Sequence, residues 1–122
     1  MTELPDGFHS ITPRIVAAGA TDLVHFLQQA FGAEGELSGD APAILRIGDS
    51  TLMVSEAGER APATAFLYLY VADADACYGR AVELGATPLE APADMPYGDR
   101  RAMVEDAWGN VWQIATYRAA AD

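Results

Sequence analysis

The chain has 122 residues, a length that suits one domain, and 51% of them are hydrophobic, too many for a disordered chain. Against 18 acidic residues stand 7 arginines and no lysine, a net charge of −11 that argues against nucleic acid as a partner, because phosphate binding needs a basic surface. No apolar run approaches the roughly 20 residues that span a bilayer, so no membrane partner is expected. The start, MTELPDGFHS, has neither a basic opening nor an apolar stretch of the secretory kind, and the single cysteine, Cys77, excludes an internal disulfide. A cytoplasmic location is the expectation that follows.

In chain order, the apolar segment SITPRIVAAG (10–19) reads as a strand. TDLVHFLQQAFGA follows with Leu23, Phe26, Leu27, Ala30 and Phe31 on one face of an amphipathic helix. Thr21 or Asp22 is the expected N-cap and Gly32 the left-handed terminator. Three short strands fit next, around 34–39, 42–47 and 51–56, the last two joined by a Gly-Asp turn. EAGERAPAT reads as a linker. The order then repeats: strand ATAFLYLYVAD (63–73), helix DADACYGRAVELGA, then TPLEAPADM, RRAMVED and VWQIATYR. Asp73 or Asp75 caps the second helix, Gly85 ends it, and Cys77, Ala81 and Leu84 form its buried face. The single domain, 1–122, is therefore read as two modules, 10–58 and 63–118. The fold class is α+β: paired βαβββ modules in a curved, eight-stranded mixed sheet with helices outside and a concave face within, where small molecules usually bind.

The stretches ITPRIVAAGATDLVHFLQQAFGA, LYVADADACYGRAVELGA and YGDRRAMVEDAWGNVWQIATY resemble the vicinal oxygen chelate superfamily, the glyoxalase, bleomycin-resistance and extradiol-dioxygenase group. The resemblance covers about residues 10–118 and implies the paired βαβββ fold and assembly as a homodimer. The turn DAWGN has Ala107 where the family pattern has proline. Asp106 can accept backbone N–H bonds there, and Gly109 can take a positive φ.

The resemblance also implies four metal-ligand positions, usually filled by His, Gln or Glu. Counting from the strand ends and turn glycines puts them at Thr12, Met53 (with Leu52 as the alternative), Phe66 and Gln113. Phe66 cannot ligate, a thioether is too soft for Mn, Fe, Ni or Zn, and Thr12 and Gln113 are weak neutral donors. His9 and His25 read as solvated. The expectation is that the usual metal site is absent and that no cofactor is held. Gln113 then either orients a ligand through its amide or bonds to Thr12 or the backbone.

Strand alternation puts Thr12, Arg14 and Val16, then Phe66, Tyr68 and Tyr70, then Gln113, Ala115 and Tyr117 on the face of the ligand positions. Trp112 falls on the helix side, whereas Trp108, at a turn tip, reads as exposed, at a pocket rim or dimer contact. Tyr97 precedes the seventh strand, in a region that borders the cavity in the family. Arg100 next to it is read either as a cavity residue or as the partner of Asp99 or Asp106. Arg14 argues for an anionic or carbonyl-bearing ligand, with Glu56 and Glu105 as possible offsets. The expected ligand-binding set is thus Thr12, Arg14, Met53, Phe66, Tyr68, Tyr70, Tyr97, Trp108 and Gln113. The expected function is metal-independent binding of a small organic molecule, such as an aromatic antibiotic or metabolite. The alternative is a glyoxalase- or dioxygenase-like lyase or isomerase with an atypical metal site.

Overall fold

Each half of the chain builds its own sheet by pairing its first strand in parallel with its last, a geometry that requires a crossover between them. The coordinates are a computed structural model that describes residues 3–119. The backbone divides into two units, Met1–Ala65 and Phe66–Asp122. The fold is α+β: the described residues form two helices and two mixed sheets, a βαββ unit followed by a βαβββ unit, with seven strands rather than the expected eight.

In the first unit, β1 (Arg14–Ala17) is followed by α1 (Ala20–Phe31), β2 (Ala43–Ile47) and β3 (Ser50–Glu56), in the sheet order β1-β3-β2. The strand expected around 34–39 is reduced to bridges, chiefly Glu34 with Arg46, whose backbones exchange bonds of 2.9 and 2.8 Å. Glycine explains the loss: Gly35 has φ 118°, and a Cβ there would run into the Ile44 carbonyl. Ile15, Leu45, Leu52 and Val54 are buried with Leu23, Val24, Phe26, Leu27 and Ala30 of α1. Each buried leucine contributes about 1.5–3 kcal/mol relative to exposure. Phe31 is half-buried, its ring edge-on to Phe26 at 5.8 Å.

The N-cap of α1 is neither Thr21 nor Asp22 but Gly19, with φ 87° and no side chain to offer. Instead the Glu56 carboxylate, at the end of β3, accepts from Gly19 N at 3.0 Å and Ala20 N at 2.9 Å. The parallel register sets Ala17 beside Glu56, so the last strand delivers its carboxylate to the orphan N–H groups of the helix start. Gly32 ends α1 in the left-handed region, as expected. Past β3, Ala63 exchanges backbone bonds of 3.1 and 2.9 Å with Val16. Ala63 therefore borders β1 in the first unit, and the expected strand 63–73 is shorter than read.

In the second unit, β4 (Phe66–Tyr70), α2 (Ala74–Glu83), β5 (Thr87–Asp94), β6 (Arg100–Glu105) and β7 (Val111–Thr116) take the order β4-β7-β6-β5. Asp73 caps α2 as expected, accepting from Ala76 N at 3.1 Å. Thr116 at the end of β7 adds a second acceptor, for Ala74 N at 2.8 Å, the counterpart of Glu56 in the first unit. Cys77 and Ala81 are buried, but Leu84 is 43% exposed, because α2 ends at Glu83 and its periodicity no longer aims the next side chain inward. Burial raises the Cys77 thiol pKa, which fits inert packing.

The turn from β6 to β7 is organised by one buried carboxylate. Asp106 accepts from Trp108 N at 2.9 Å, Asn110 N at 3.0 Å, the Asn110 amide, and Trp112 Nε1 at 3.0 Å. Gly109 takes φ 90°, as the turn requires. These bonds explain why alanine suffices at position 107: the carboxylate, rather than a proline ring, fixes the turn.

Replacing Asp106 by alanine is expected to lower unfolding free energy by about 2–4 kcal/mol, because several buried donors lose their acceptor. Chemical denaturation followed by Trp112 fluorescence checks this, and an unchanged midpoint contradicts it. A second expectation concerns pH. The two backbone bonds lower the Glu56 pKa from its ordinary 4.5. A depressed carboxylate stabilises the fold above its unfolded value and loses that contribution as pH falls through the folded one. Amide exchange at Gly19 and Ala20, corrected for intrinsic rates, should therefore accelerate on acidification below about pH 4.5, and at neutral pH in Glu56→Ala.

Candidate functional site

The four positions that the resemblance assigns to metal ligands fall as follows. Thr12 lies ahead of β1, half-buried. Met53 stands opposite Arg14 across the β1–β3 pairing, half-buried between buried Leu52 and Val54, which supports Met53 over Leu52 as the residue on that face. Phe66 opens β4 opposite Val111 and is 66% exposed. Gln113 stands opposite Tyr68 on one side and Met103 on the other. In neither unit do these positions supply a carboxylate or imidazole. Among the described residues no group of three or more His, Cys, Asp or Glu could hold a metal ion. The donor set does not fit a divalent ion, and no step is routed through one.

The second unit instead carries a tyrosine face built around Asp99. Asp99 is 3% exposed and accepts from Tyr68 OH at 2.8 Å and Tyr70 OH at 3.0 Å, both on Oδ2. The Arg118 backbone N–H approaches its other oxygen at 3.4 Å. Since Tyr68 spends its proton on Asp99, the 3.0 Å contact with Tyr97 has Tyr97 donating to Tyr68. Arg101 in turn donates to Tyr97 OH at 3.2 Å and to Glu90 at 2.9 Å. The chain of donors runs one way, Arg101 to Tyr97 to Tyr68 to Asp99, and leaves the phenols with lone pairs but no spare protons. The rings stay accessible: Tyr68, Tyr70, Tyr97 and Tyr117 are 39%, 57%, 49% and 70% exposed. Tyr70 meets Tyr68 at 5.2 Å and Tyr117 at 6.2 Å between ring centroids, both edge-on.

The electrostatics follow. The Tyr68 hydrogen bond lowers the Asp99 pKa, helped by Tyr70. The Tyr68 phenol is raised by partial burial and by its bonds to Tyr97 and Asp99, and Tyr70 is raised first by its bond to Asp99. Among the described residues no guanidinium pairs with Asp99. Arg100, one of its expected partners, instead binds Asp75 at 2.7 Å and Asp94 at 3.2 Å. Neighbours along a strand point to opposite faces, which sends Arg100 to the α2 side and away from both Asp99 and the turn that holds Asp106.

Tyr68, Tyr70 and Tyr97 of the expected set are thus brought together, with Gln113 beside Tyr68 in the register. Trp108 is not part of this group. It sits at the far end of β6 from Asp99, roughly 20 Å along a strand of that length, and is half-buried rather than exposed. Asp99 and Arg101, the residues that orient the phenols, were not in the expected set. Their sequence signal was slight: a lone Tyr-Gly-Asp-Arg-Arg at the start of a strand.

Arg14 belongs to a different feature. The first unit contains a cavity of about 1020 Å³ whose lining includes Arg14, Val16, Leu37, Asp40, Glu59 and Arg60. Glu56, expected as an offset to Arg14, is committed to the start of α1.

The model of the Glyoxalase/Bleomycin resistance protein/Dioxygenase superfamily matches residues 11–114. Uncharacterized protein Mb0911c of Mycobacterium bovis is 29% identical, over 86% of this chain and 81% of its own. Uncharacterized protein Rv0887c of Mycobacterium tuberculosis is also 29% identical, over 86% and 72%. Among solved structures, TioX from Micromonospora sp. ML1 superposes with a TM-score of 0.77 at 22% identity, over 90% of this chain and 99% of that one. A family enzyme from Burkholderia phytofirmans PsJN gives a TM-score of 0.73 at 20% identity, over 86% and 95%. At these identities the structures speak to fold alone.

The pinned phenols predict a split tyrosine titration. Part of the absorbance change of the five tyrosines at 295 nm should come well above the ordinary phenol value of 10.0. Asp99→Asn should move that part down. A single step near pH 10 in both proteins would contradict the assigned hydrogen bonds.

Proposed function

Because the chain belongs to the Glyoxalase/Bleomycin resistance protein/Dioxygenase superfamily, and because its family ligand positions carry no strong donor, we propose that it binds a small organic molecule without a metal. The observation that carries this reading is the tyrosine face around Asp99. Four exposed rings, three of them joined through hydroxyls to one buried carboxylate, are preorganised, so little side-chain entropy is lost when a ligand stacks on them. The hydroxyl oxygens of Tyr68, Tyr70 and Tyr97 have committed their protons and are left to accept, which favours a planar aromatic ligand bearing N–H or O–H groups. The net charge of −11 adds a field that attracts donors and cations. Gln113 stands opposite Tyr68; its side chain has no hydrogen bond among the described residues and offers an amide to such a ligand.

An aromatic antibiotic or metabolite is the proposed cargo, and sequestration in a homodimer the proposed mode. No described helix is long and apolar enough to cross a membrane. Arg101 is held by Glu90 and Tyr97, so its guanidinium is committed to orienting the phenols.

Isothermal titration with bleomycin and with mitomycin tests the proposal. Saturable binding to the wild type is expected, with Tyr68→Ala weakening it about tenfold or more. Absence of saturable heat with both, together with no gain in drug tolerance on overexpression, would remove the reading.

A further inference from the structure

Two arginines and three carboxylates line the first unit's cavity, and among the described residues none of them forms an ion pair. Arg14 donates its Nε to Ser55 Oγ at 2.8 Å, which holds the guanidinium in place and leaves its Nη groups available. Among the described residues neither Arg14 nor Arg60 forms an ion pair, whereas Arg100, Arg101 and Arg118 all do. Among the described residues Asp40 and Glu59, on the same lining, form no ion pair either. The Ser55 bond gives the reason for Arg14: it fixes the side chain by its inner nitrogen and keeps it from folding onto a neighbour. A third carboxylate, Glu56, keeps its charge but has both oxygens turned to the N–H groups at the start of α1.

We propose that this cavity binds a zwitterionic organic molecule that carries both a carboxylate and an ammonium group, of the amino-acid or short-peptide class. The Arg14 fork, supported by Arg60, receives the carboxylate in the bidentate manner that guanidinium geometry allows. Asp40 and Glu59 receive the ammonium. Buried Val16 and half-buried Leu37 offer apolar surface to the rest of the molecule. The volume of about 1020 Å³ exceeds what one amino acid fills and suits a drug-sized or peptide ligand. The site is chemically unlike the tyrosine face: it has cations to offer, and all its residues lie in Met1–Ala65. It stands whether or not the tyrosine face binds anything.

The test is a nitrogen-15 NMR titration of the whole protein with three probes that differ only in charge: the dipeptide Ala-Phe, its N-acetyl form and its C-terminal amide. Ala-Phe should shift the amides of Leu37, Gly39 and Ser55 and the Nε–H of Arg14. Removing either charge should weaken binding about tenfold or more. Arg14→Gln and Arg60→Gln should each weaken Ala-Phe and the N-acetyl form, with Ala-Phe-amide unaffected. Shifts confined to Tyr68, Tyr70 and Tyr97 would place the dipeptide on the other unit and overturn the proposal. Equal affinity for the three probes, no shift at all in the first unit, or wild-type affinity in Arg14→Gln, which removes a surface charge and no buried group, would overturn it too.

Discussion

Parallel pairing of the first and last strands is the constraint from which each unit's architecture follows. Parallel neighbours cannot be joined by a hairpin, so the chain must leave the sheet as a helix and return through antiparallel strands. The pairing also brings the C-terminal ends of the two strands together where the helix begins. A side chain at the end of the last strand then lies within reach of unsatisfied helical N–H groups. Both units use this: Glu56 at α1 and Thr116 at α2. The two halves differ in charge at that place, and the carboxylate stands where the preceding residue is glycine and can offer no cap of its own.

The same pairing decides which side chains stand opposite one another on the face away from the helices. Arg14 meets Met53 in one unit, and Tyr68 meets Gln113 in the other. These equivalent places have taken opposite chemistry. In the first unit a guanidinium is fixed by serine near uncommitted carboxylates. In the second, two phenols are fixed by a buried aspartate to which they donate hydrogen bonds. A duplicated backbone thus presents a charged surface in one half and an aromatic, hydroxyl-lined surface in the other. A metal-ligand set calls for neither, and fold alone does not choose among the activities such a scaffold can host.

Much of the fold was legible because it rests on local rules. Helical periodicity, glycine terminators at Gly32 and Gly85, the Asp73 cap and the Asp106 turn all depend on residues a few positions apart. The misreadings share one cause, contacts from distant sequence. Thr21 or Asp22 looked like a cap because Glu56 is far along the chain. Leu84 looked buried because periodicity does not announce where a helix stops. The strand around 34–39 looked plausible until the Gly35 backbone met the Ile44 carbonyl.

By itself, the sequence determined the module repeat, the alternation of faces and the lack of strong metal donors at the family's positions, since each depends on residue type and spacing. Tertiary structure decided which of the acids would organise the site. Asp99 is one of 18, and nothing in its neighbours marks it. It acquires its role because β4 and the segment ahead of β6 converge and close two tyrosine hydroxyls on one oxygen. Hydrogen bonds between side chains 29 to 31 residues apart are set by packing, and their direction by which group has a proton to give.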